Sequence, residues 1–434
     1  MPSRVLAPRH PGAPDSHPRG LYVLFFTELW ERYSFYSLMA ILTLYMDEQL
    51  RFSRSVSGQV YGAYIAAVYF VPLAGGALAD RWLGFYRAVV LGAVLMGIGQ
   101  FVLGVRSEAA FFLGLALIAS GTGVLKPSVS TIVGGLYADR PQLRDSGFNI
   151  FYMGINIGAF IAPIVVAWLR AHYGWTVALR SASVAMVIAL VIFIGFRRVI
   201  EGGVHKSDRE VAATPASTVD DRSRTIALLV IYLIVVAFWI AFYQNGYALT
   251  LWARDNTATR WSPEVFQSVD PLGIIVFSPL LVVLWRVLRR RGAEPSTLGK
   301  IFIGMLLTVL TFAVMAVAAF SGGDSGRVSS SWLISAYLII AAGEICLSPM
   351  GLSLVTKVAP PHLRGTLMGA WFVATALGGY LAGFLGTYWS RIPHSRFFIV
   401  VAAIAAGAAV LLLVVKRRLQ VALEPAEEGR RSAA

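Results

Sequence analysis

Charged residues are scarce in this chain, since Asp, Glu, Lys and Arg together make up only 14% of its 434 residues. Soluble globular proteins carry about 25% charged residues, so the composition excludes that class. Hydrophobic residues are abundant, at 57% of the sequence, and they are gathered in long runs. A bilayer core needs about 20 apolar residues for each helical crossing. The sequence therefore predicts an all-α membrane protein.

Cysteine and histidine, the usual residues of disulfides and metal sites, are scarce or lie outside the predicted spans. Cys346 is the only cysteine, which excludes an intrachain disulfide and a cysteine-rich metal site. All six histidines fall in predicted loops or tails. The predicted spans contain no nucleophile and base pair, no metal-ligand cluster and no phosphate-binding loop. We therefore expect no enzyme, no metal and no cofactor.

Twelve apolar runs predict twelve transmembrane helices. They cover residues 21–46, 60–79, 88–105, 109–133, 148–169, 177–196, 226–251, 272–288, 301–320, 332–355, 367–385 and 397–415. The longest polar interruption, 197–224, divides them six and six and is expected to form a flexible cytoplasmic linker. The predicted organisation is a tail at 1–20, a six-helix bundle at 21–196, the linker, a second bundle at 225–415 and a tail at 416–434.

The distribution of basic residues predicts how the chain is oriented. The first twenty residues hold no apolar stretch, so they are not a cleavable signal peptide. Placing them in the cytoplasm puts 25 Lys and Arg residues in inner segments and 10 in outer ones, as the positive-inside rule requires. The net charge of +14 then reflects helix ends at phospholipid rather than nucleic-acid binding. We expect a monomer in the plasma membrane, the inner membrane of a bacterium, with both termini cytoplasmic.

The first predicted helix carries charges that a lipid-facing helix would not. Glu28, Glu31 and Arg32 share one helical face with Phe35. An ionisable residue at the centre of a span costs at least about 2.5 kcal/mol, so this face must meet a partner or a hydrated cavity. Protonation of one acid would unbalance such a cluster, which is what proton coupling requires. The alternative is an ion-pair cluster that only holds helices together.

Two further charges lie in different halves. Lys126 precedes Pro127 in the fourth span, and Glu344 lies near Pro349 in the tenth. Proline disturbs the helical ladder, so we expect both helices to bend or break beside their charges, as helices do around central sites. Opposite charges on opposite walls would suit a zwitterionic solute. The alternative for Glu344 is a carboxylate satisfied by neighbouring hydroxyls.

The segment 75–87 resembles the loop motif of the major facilitator superfamily, whose plan is two six-helix bundles around a midplane site. Its small residues allow close helix packing. Asp80, Arg81 and Arg87 are predicted to form a cytoplasmic latch that breaks when the halves move. The alternative is an ordinary turn with solvated charges.

Several motifs resemble the proton-coupled oligopeptide transporter family along nearly the whole chain. They are residues 28–36 of the first span, 151–158 of the fifth, 238–239 of the seventh, 290–296 after the eighth and 368–372 of the eleventh. The resemblance implies proton-driven import of di- and tripeptides. It also implies that the first-helix acids and Arg32 engage Lys126, and that the pocket is formed by Tyr36, Tyr69, Lys126, Asn156, Tyr243, Glu344, Ser348 and Trp371.

The chain departs from the family pattern at three positions. Met39 stands where relatives usually carry an arginine, and Tyr243 stands where the seventh span usually carries an acid. Asp270 replaces the usual Asn before Pro271, and we expect it to act as a proton or gating group. A helix N-cap is the simpler alternative for it. The segment between the halves is too short for the two extra helices of many bacterial relatives.

Two alternatives to peptide import remain open from the sequence. The first is a proton-coupled carrier of another small organic solute, such as an amino-acid derivative or an anion. The second is a membrane sensor that keeps the transporter fold without transport. For the pocket residues, Asn156 could form an interhelical hydrogen bond, and Tyr69 and Trp371 could be packing residues.

Overall fold

A computed structural model describes residues 16–210, 221–360 and 363–423. Helices dominate these residues, which also form one parallel pair of two-residue strands, β1 (Thr257–Ala258) and β2 (Val328–Ser329). The first half contains α1 (Arg19–Glu48), α2 (Arg54–Leu78), a π-helical turn (Ala79–Leu83), α3 (Phe85–Leu103), α4 (Glu108–Leu136), α5 (Pro141–Gly195) and α6 (Arg197–Glu210).

The second half begins with α7 (Asp221–Phe242), which passes through a 3₁₀ segment (Tyr243–Gly246) into α8 (Ala248–Asp255). A second 3₁₀ segment, Pro263–Ser268, leads into α9 (Val269–Arg290). The remaining helices are α10 (Thr297–Ser321), α11 (Ser330–Val358), α12 (Arg364–Gly386) and α13 (His394–Leu423).

Ten helical segments among the described residues are long and apolar enough to cross a membrane. One of them, Gln142–Gly195, has 54 residues and breaks at Gly174, where φ is +81°. Glycine adopts this left-handed conformation without a steric penalty. Helix α1 is not among the ten, and it carries Glu28, Glu31 and Arg32 in its middle. The chain is a multi-pass helical membrane protein.

Small residues let the helices approach closely, both within the first half and between the halves. A Cβ atom on Gly92 of α3 would lie 2.6 Å from the Gly121 carbonyl oxygen of α4. Between the halves, a Cβ on Gly62 of α2 would lie 2.7 Å from the Tyr380 carbonyl oxygen of α12. Close packing of this kind drives the association of helices in lipid, because the hydrophobic effect does not favour helix–helix contact over helix–lipid contact.

The segment expected to be a flexible linker is partly helical. Residues Arg197–Glu210 form α6, and Ile200 and Val204 are buried. Gly203 packs so tightly on α4 that an added Cβ would lie 2.8 Å from a methyl group of Leu136. The sequence did not predict this helix, because its apolar residues are few and lie among charged and small residues. Residues 211–220 of the expected linker lie outside the described residues.

The helices that carry Lys126 and Glu344 do not break at the neighbouring prolines. Helices α4 and α11 continue through Pro127 and Pro349. The break in a long apolar helix lies instead at Tyr243–Gly246. Its carbonyl groups accept hydrogen bonds from Thr43 at 2.6 Å, Tyr61 at 3.0 Å and Tyr337 at 3.2 Å. Such partners are what irregular backbone needs at membrane depth.

Candidate functional site

A cavity of about 310 Å³ lies between the two halves. Helices α1, α2, α4 and α5 line it from one side, and the Tyr243–Gly246 segment, α9, α11 and α12 line it from the other. Its size falls at the lower end of the range for small-molecule sites, about 300 to 1,000 Å³. All eight residues expected in a substrate pocket lie on its wall: Tyr36, Tyr69, Lys126, Asn156, Tyr243, Glu344, Ser348 and Trp371.

Arg32 lies between the first-helix acids and the cavity. Its guanidinium is buried and donates from both Nε and Nη2 to Glu31, with 2.5 Å between Nη2 and Oε1. Glu28 lies one turn away, with its Oε1 3.5 Å from Arg32 Nε. Arg32 itself lines the cavity, whereas the two glutamates lie behind it. The spacing that predicted a shared helical face therefore produces a buried triad.

Lys126 faces the same chamber from α4. Its Nζ lies 5.0 Å from the centre of the Tyr69 ring, a distance at which a cation is attracted to an aromatic face. Among the described residues no carboxylate pairs with it, although Glu28 is close enough to attract it electrostatically. Lys126 and Arg32 thus share one cavity, but the lysine is not bound to either acid of α1 in this conformation.

The second half contributes two carboxylates to the wall, Glu344 on α11 and Asp270 on α9. Within the described part of the chain, Glu344 Oε2 and Asp270 Oδ1 are buried without a hydrogen-bond partner. Asp270 is the second residue of α9, and Ser268 occupies the N-cap position. Asp270 is therefore not the N-cap residue of α9, which was the alternative considered for it.

Aromatic rings connect the walls of the cavity. The Tyr69 ring on α2 lies 5.9 Å from the Tyr243 ring, which stacks on Trp239 at 5.6 Å. Trp371 lines the cavity while packing edge-on against Tyr232 at 5.9 Å. These rings make a largely apolar chamber in which the few charged groups decide orientation.

Asn156 does not bridge helices. Its Nδ2 donates to the Tyr152 carbonyl oxygen in its own helix at 2.9 Å, and its side chain lines the cavity. The interhelical hydrogen bond considered from the sequence is not formed. The side-chain amide oxygen of Asn156 can therefore accept a hydrogen bond from a ligand.

Many lining residues were missed from the sequence, and four of them with polar side chains are Tyr61, Tyr152, Gln267 and Tyr337. Helical spacing could have found three of them, because each lies four, seven or eight residues from a predicted pocket residue on the same helix. Gln267 gave no such signal. It lies in an irregular segment, where its Nε2 donates to the Ala40 carbonyl oxygen at 3.2 Å.

Ion pairs between the halves close one end of the cavity, which we call the paired end. Arg254 of α8 donates to Asp47 of α1. Arg170 of α5 donates to the buried Glu264 of the second 3₁₀ segment at 2.7 Å. Pairs that join the halves hold this end shut.

The opposite end carries the residues expected to form a latch. Asp80, Arg81 and Arg87 are all exposed, and Trp82 beside them is 80% exposed. Within the described residues no ion pair involves these three charges. The latch stays a prediction for another conformation.

Buried charges around a central cavity, held between two helical halves that are paired at one end, define a membrane transporter. This chain belongs to the POT family, whose model matches residues 86–208 and 198–404. The resemblance predicted from the sequence motifs is confirmed.

The chain is similar to the peptide transporter YePEPT of Yersinia enterocolitica subsp. palearctica serotype O:3. The two are 33% identical over 85% of this chain and 88% of the relative. It also resembles a crystal structure of a mutant peptide transporter POT in complex with alafosfalin, with a TM-score of 0.87 and 31% identity over 95% of this chain and 97% of the other. A third similar structure is a POT family transporter in complex with 5-aminolevulinic acid, with a TM-score of 0.86 and 26% identity over 94% and 98% of the two chains.

Proposed function

We propose that this protein is a symporter that couples the import of di- and tripeptides to inward proton movement by alternating access. One observation carries the proposal. Lys126 from one half and Glu344 from the other line a single buried cavity. A zwitterionic peptide offers a carboxylate to the first and an ammonium group to the second. Relatives named as peptide transporters support the same substrate class.

Proton coupling is assigned to Glu28, Glu31, Arg32 and Lys126. Arg32 holds both acids in this conformation, so Lys126 is available to a solute carboxylate. Protonation of an acid would loosen its hold on Arg32 and change the charge that Lys126 faces. A peptide-loaded half could then move relative to the other. Asp270 is a second candidate proton or gating group, and no cofactor beyond protons is needed.

We place twelve membrane spans in two bundles, at 21–196 and 225–415. The break at Gly174 divides α5 into two spans, and α1 adds the twelfth. Both termini lie in the cytoplasm of a monomer in the plasma membrane, the bacterial inner membrane. The paired end then faces outward, the segment with Asp80, Arg81 and Arg87 faces the cytoplasm, and the conformation described here is open inward.

A second candidate function is import of an amino-acid derivative. Met39 lines the cavity and carries no charge, so the second base that relatives usually offer to a peptide carboxylate is missing here. A POT family structure similar to this chain holds 5-aminolevulinic acid. Competition against labelled dialanine distinguishes the two functions, because a peptide carrier should be inhibited by dipeptides at lower concentration than by 5-aminolevulinic acid.

Uptake into proteoliposomes with an acidic exterior tests the proposal. We expect the parent to accumulate labelled dialanine and Lys126→Ala to lose gradient-driven accumulation. Counterflow exchange that persists in this variant would assign Lys126 to coupling rather than to substrate binding. Lys416→Ala, which changes a lysine at the far end of α13, is the matched control and should behave as the parent. No accumulation by a well-folded parent would reject import and favour a sensor.

A further inference from the structure

The cavity gathers more acidic than basic groups. Four carboxyl groups, Glu28, Glu31, Asp270 and Glu344, face two bases, Arg32 and Lys126, in and directly behind its wall. Arg32 is already bound to both glutamates of α1. Lys126 is therefore the one base in the described part of the wall that is left for the two carboxylates of the second half.

Asp270 is the acid without an assigned partner. It is only 8% exposed, its Oδ1 lacks a hydrogen-bond partner among the described residues, and it lines the cavity. Asp270 is the second residue of α9 and not its N-cap residue, which is Ser268. A buried carboxylate without a partner is costly, which points to a ligand that supplies one.

Asp270 also lies at a different depth from Glu344. It is the second residue of α9, six residues after Glu264 of the paired end. Glu344 is the fifteenth residue of α11, which starts next to the strand pair at that same end. A peptide amino terminus bound to Glu344 would therefore leave Asp270 open on the side of the paired end.

We propose that the cavity favours peptides with a second ammonium group, such as a lysine side chain, which Asp270 accepts while Glu344 accepts the amino terminus. The proposal rests on the proposed function and narrows its substrate class. It requires Asp270 to be ionised when the peptide binds, because a protonated carboxyl group has no charge to pair with an ammonium group. Charge-assisted hydrogen bonds of this kind are the strong ones in a desolvated site.

Equilibrium competition tests this preference without a membrane potential, which would itself drive cations inward. Labelled dialanine is displaced from detergent-purified protein by alanyl-lysine or by alanyl-norleucine. Norleucine has the straight side chain of lysine without its terminal ammonium group. We expect alanyl-lysine to bind about tenfold more tightly, as one charged hydrogen bond supplies. Asp270→Asn should reduce this ratio to within about twofold.

Two variants control the experiment. Asp270→Glu keeps the charge and should keep the preference for the amine, which guards against a folding defect at this position. Glu108→Gln removes an exposed acid at the start of α4 and should leave the ratio as in the parent. Each variant is compared by its elution as a single species in detergent.

The outcomes separate this inference from the proposed function. If dialanine binds but the amine brings no advantage, the inference is overturned and peptide binding stands. An advantage that survives in Asp270→Asn would remove Asp270 as the acceptor. If no dipeptide binds to well-folded protein, the proposed function fails and takes the inference with it.

Discussion

Arg32 lies between two acids, Glu28 and Glu31, that do not line the cavity and a solute that binds inside it. Its side chain bonds to Glu31 and Glu28 on one side and lines the chamber on the other. Any change in the charge of either acid therefore reaches the cavity through one guanidinium. This is a local electrostatic change with a global response, as proton-driven switches require.

Replacing Glu31 with Gln should weaken both the fold and the coupling. Removing one partner of a buried ion pair costs about 3 to 5 kcal/mol, and Glu28 offsets part of that loss, so we expect about 2 kcal/mol. Thermal unfolding in detergent should show a lower midpoint, and gradient-driven dialanine uptake should be lost. Glu108→Gln, an exposed change, should affect neither. An unchanged midpoint would show that the Arg32 pair adds nothing to stability.

Glu294 gives a pH-dependent prediction outside the membrane spans. Hydrogen bonds from Arg289 and Lys300 lower the pKa of Glu294 from 4.5 to about 2. A carboxylate whose pKa is lower in the folded state adds stability above its ordinary pKa, and this is lost as pH falls through the folded value. The unfolding midpoint of the parent should exceed that of Glu294→Gln at pH 7.

The same difference should shrink as the pH falls from about 4.5 towards about 2. Glu108→Gln should track the parent across this range. A gap between the parent and Glu294→Gln that is constant with pH would show that ionisation of Glu294 is not the cause.

At the scale of residues, the cost of a charge in a span singled out Lys126 and Glu344, whereas the uncharged pocket residues were implied by the resemblance to the family. All eight expected pocket residues and Asp270 line one cavity. Tyr61 and Tyr337 were missed, since aromatic residues are common in membrane helices and carry no such signal. Gln267 could not be predicted, because its position depends on the path of an irregular segment.

Among the elements, the Tyr243–Gly246 segment joins the two halves at the cavity. Thr43 of α1 donates to the Gly246 carbonyl oxygen at 2.6 Å, and Tyr61 of α2 donates to the Tyr243 carbonyl oxygen. Leaving a buried carbonyl without a donor costs about 1 to 3 kcal/mol.

Thr43→Val should therefore lower the thermal unfolding midpoint in detergent. Thr43→Ser keeps the hydroxyl and should retain most of the stability, which separates the hydrogen bond from packing of the methyl group. Equal losses in the two variants would assign the effect to packing instead.

Helix positions followed from hydropathy, but helix breaks did not. Proline predicted a bend or break at Pro127 and Pro349, yet both helices continue through these residues. The break after Phe242 has no proline beside it. It is stabilised by hydroxyls from distant helices, which one sequence segment cannot reveal. Likewise, α6 was not predicted, because its few apolar residues are buried only through packing against α4.

For the whole molecule, ion pairs between the halves set which end is closed. Arg170 joins Glu264 across the halves, and Gln267 lines the cavity three residues further along the chain. Arg170→Gln should weaken the paired end and raise the population that is open there.

Thiol labelling measures this population, because the chain has a single native cysteine. Gln267→Cys in a Cys346→Ala background should react several-fold faster with a membrane-impermeant maleimide once Arg170→Gln is added. Arg106→Gln, an exposed change on the α3 to α4 connection, is the matched control. Equal labelling in both would show that the Arg170 pair does not hold this end shut.

We propose that a peptide and a proton cross together through the cavity shared by Arg32, Lys126 and Glu344. The most direct measurement is the internal pH of proteoliposomes, reported by an entrapped dye when dialanine is added outside. Acidification is expected with the parent and with Lys416→Ala, and none is expected with Lys126→Ala. Dialanine entry through the parent without acidification would contradict it.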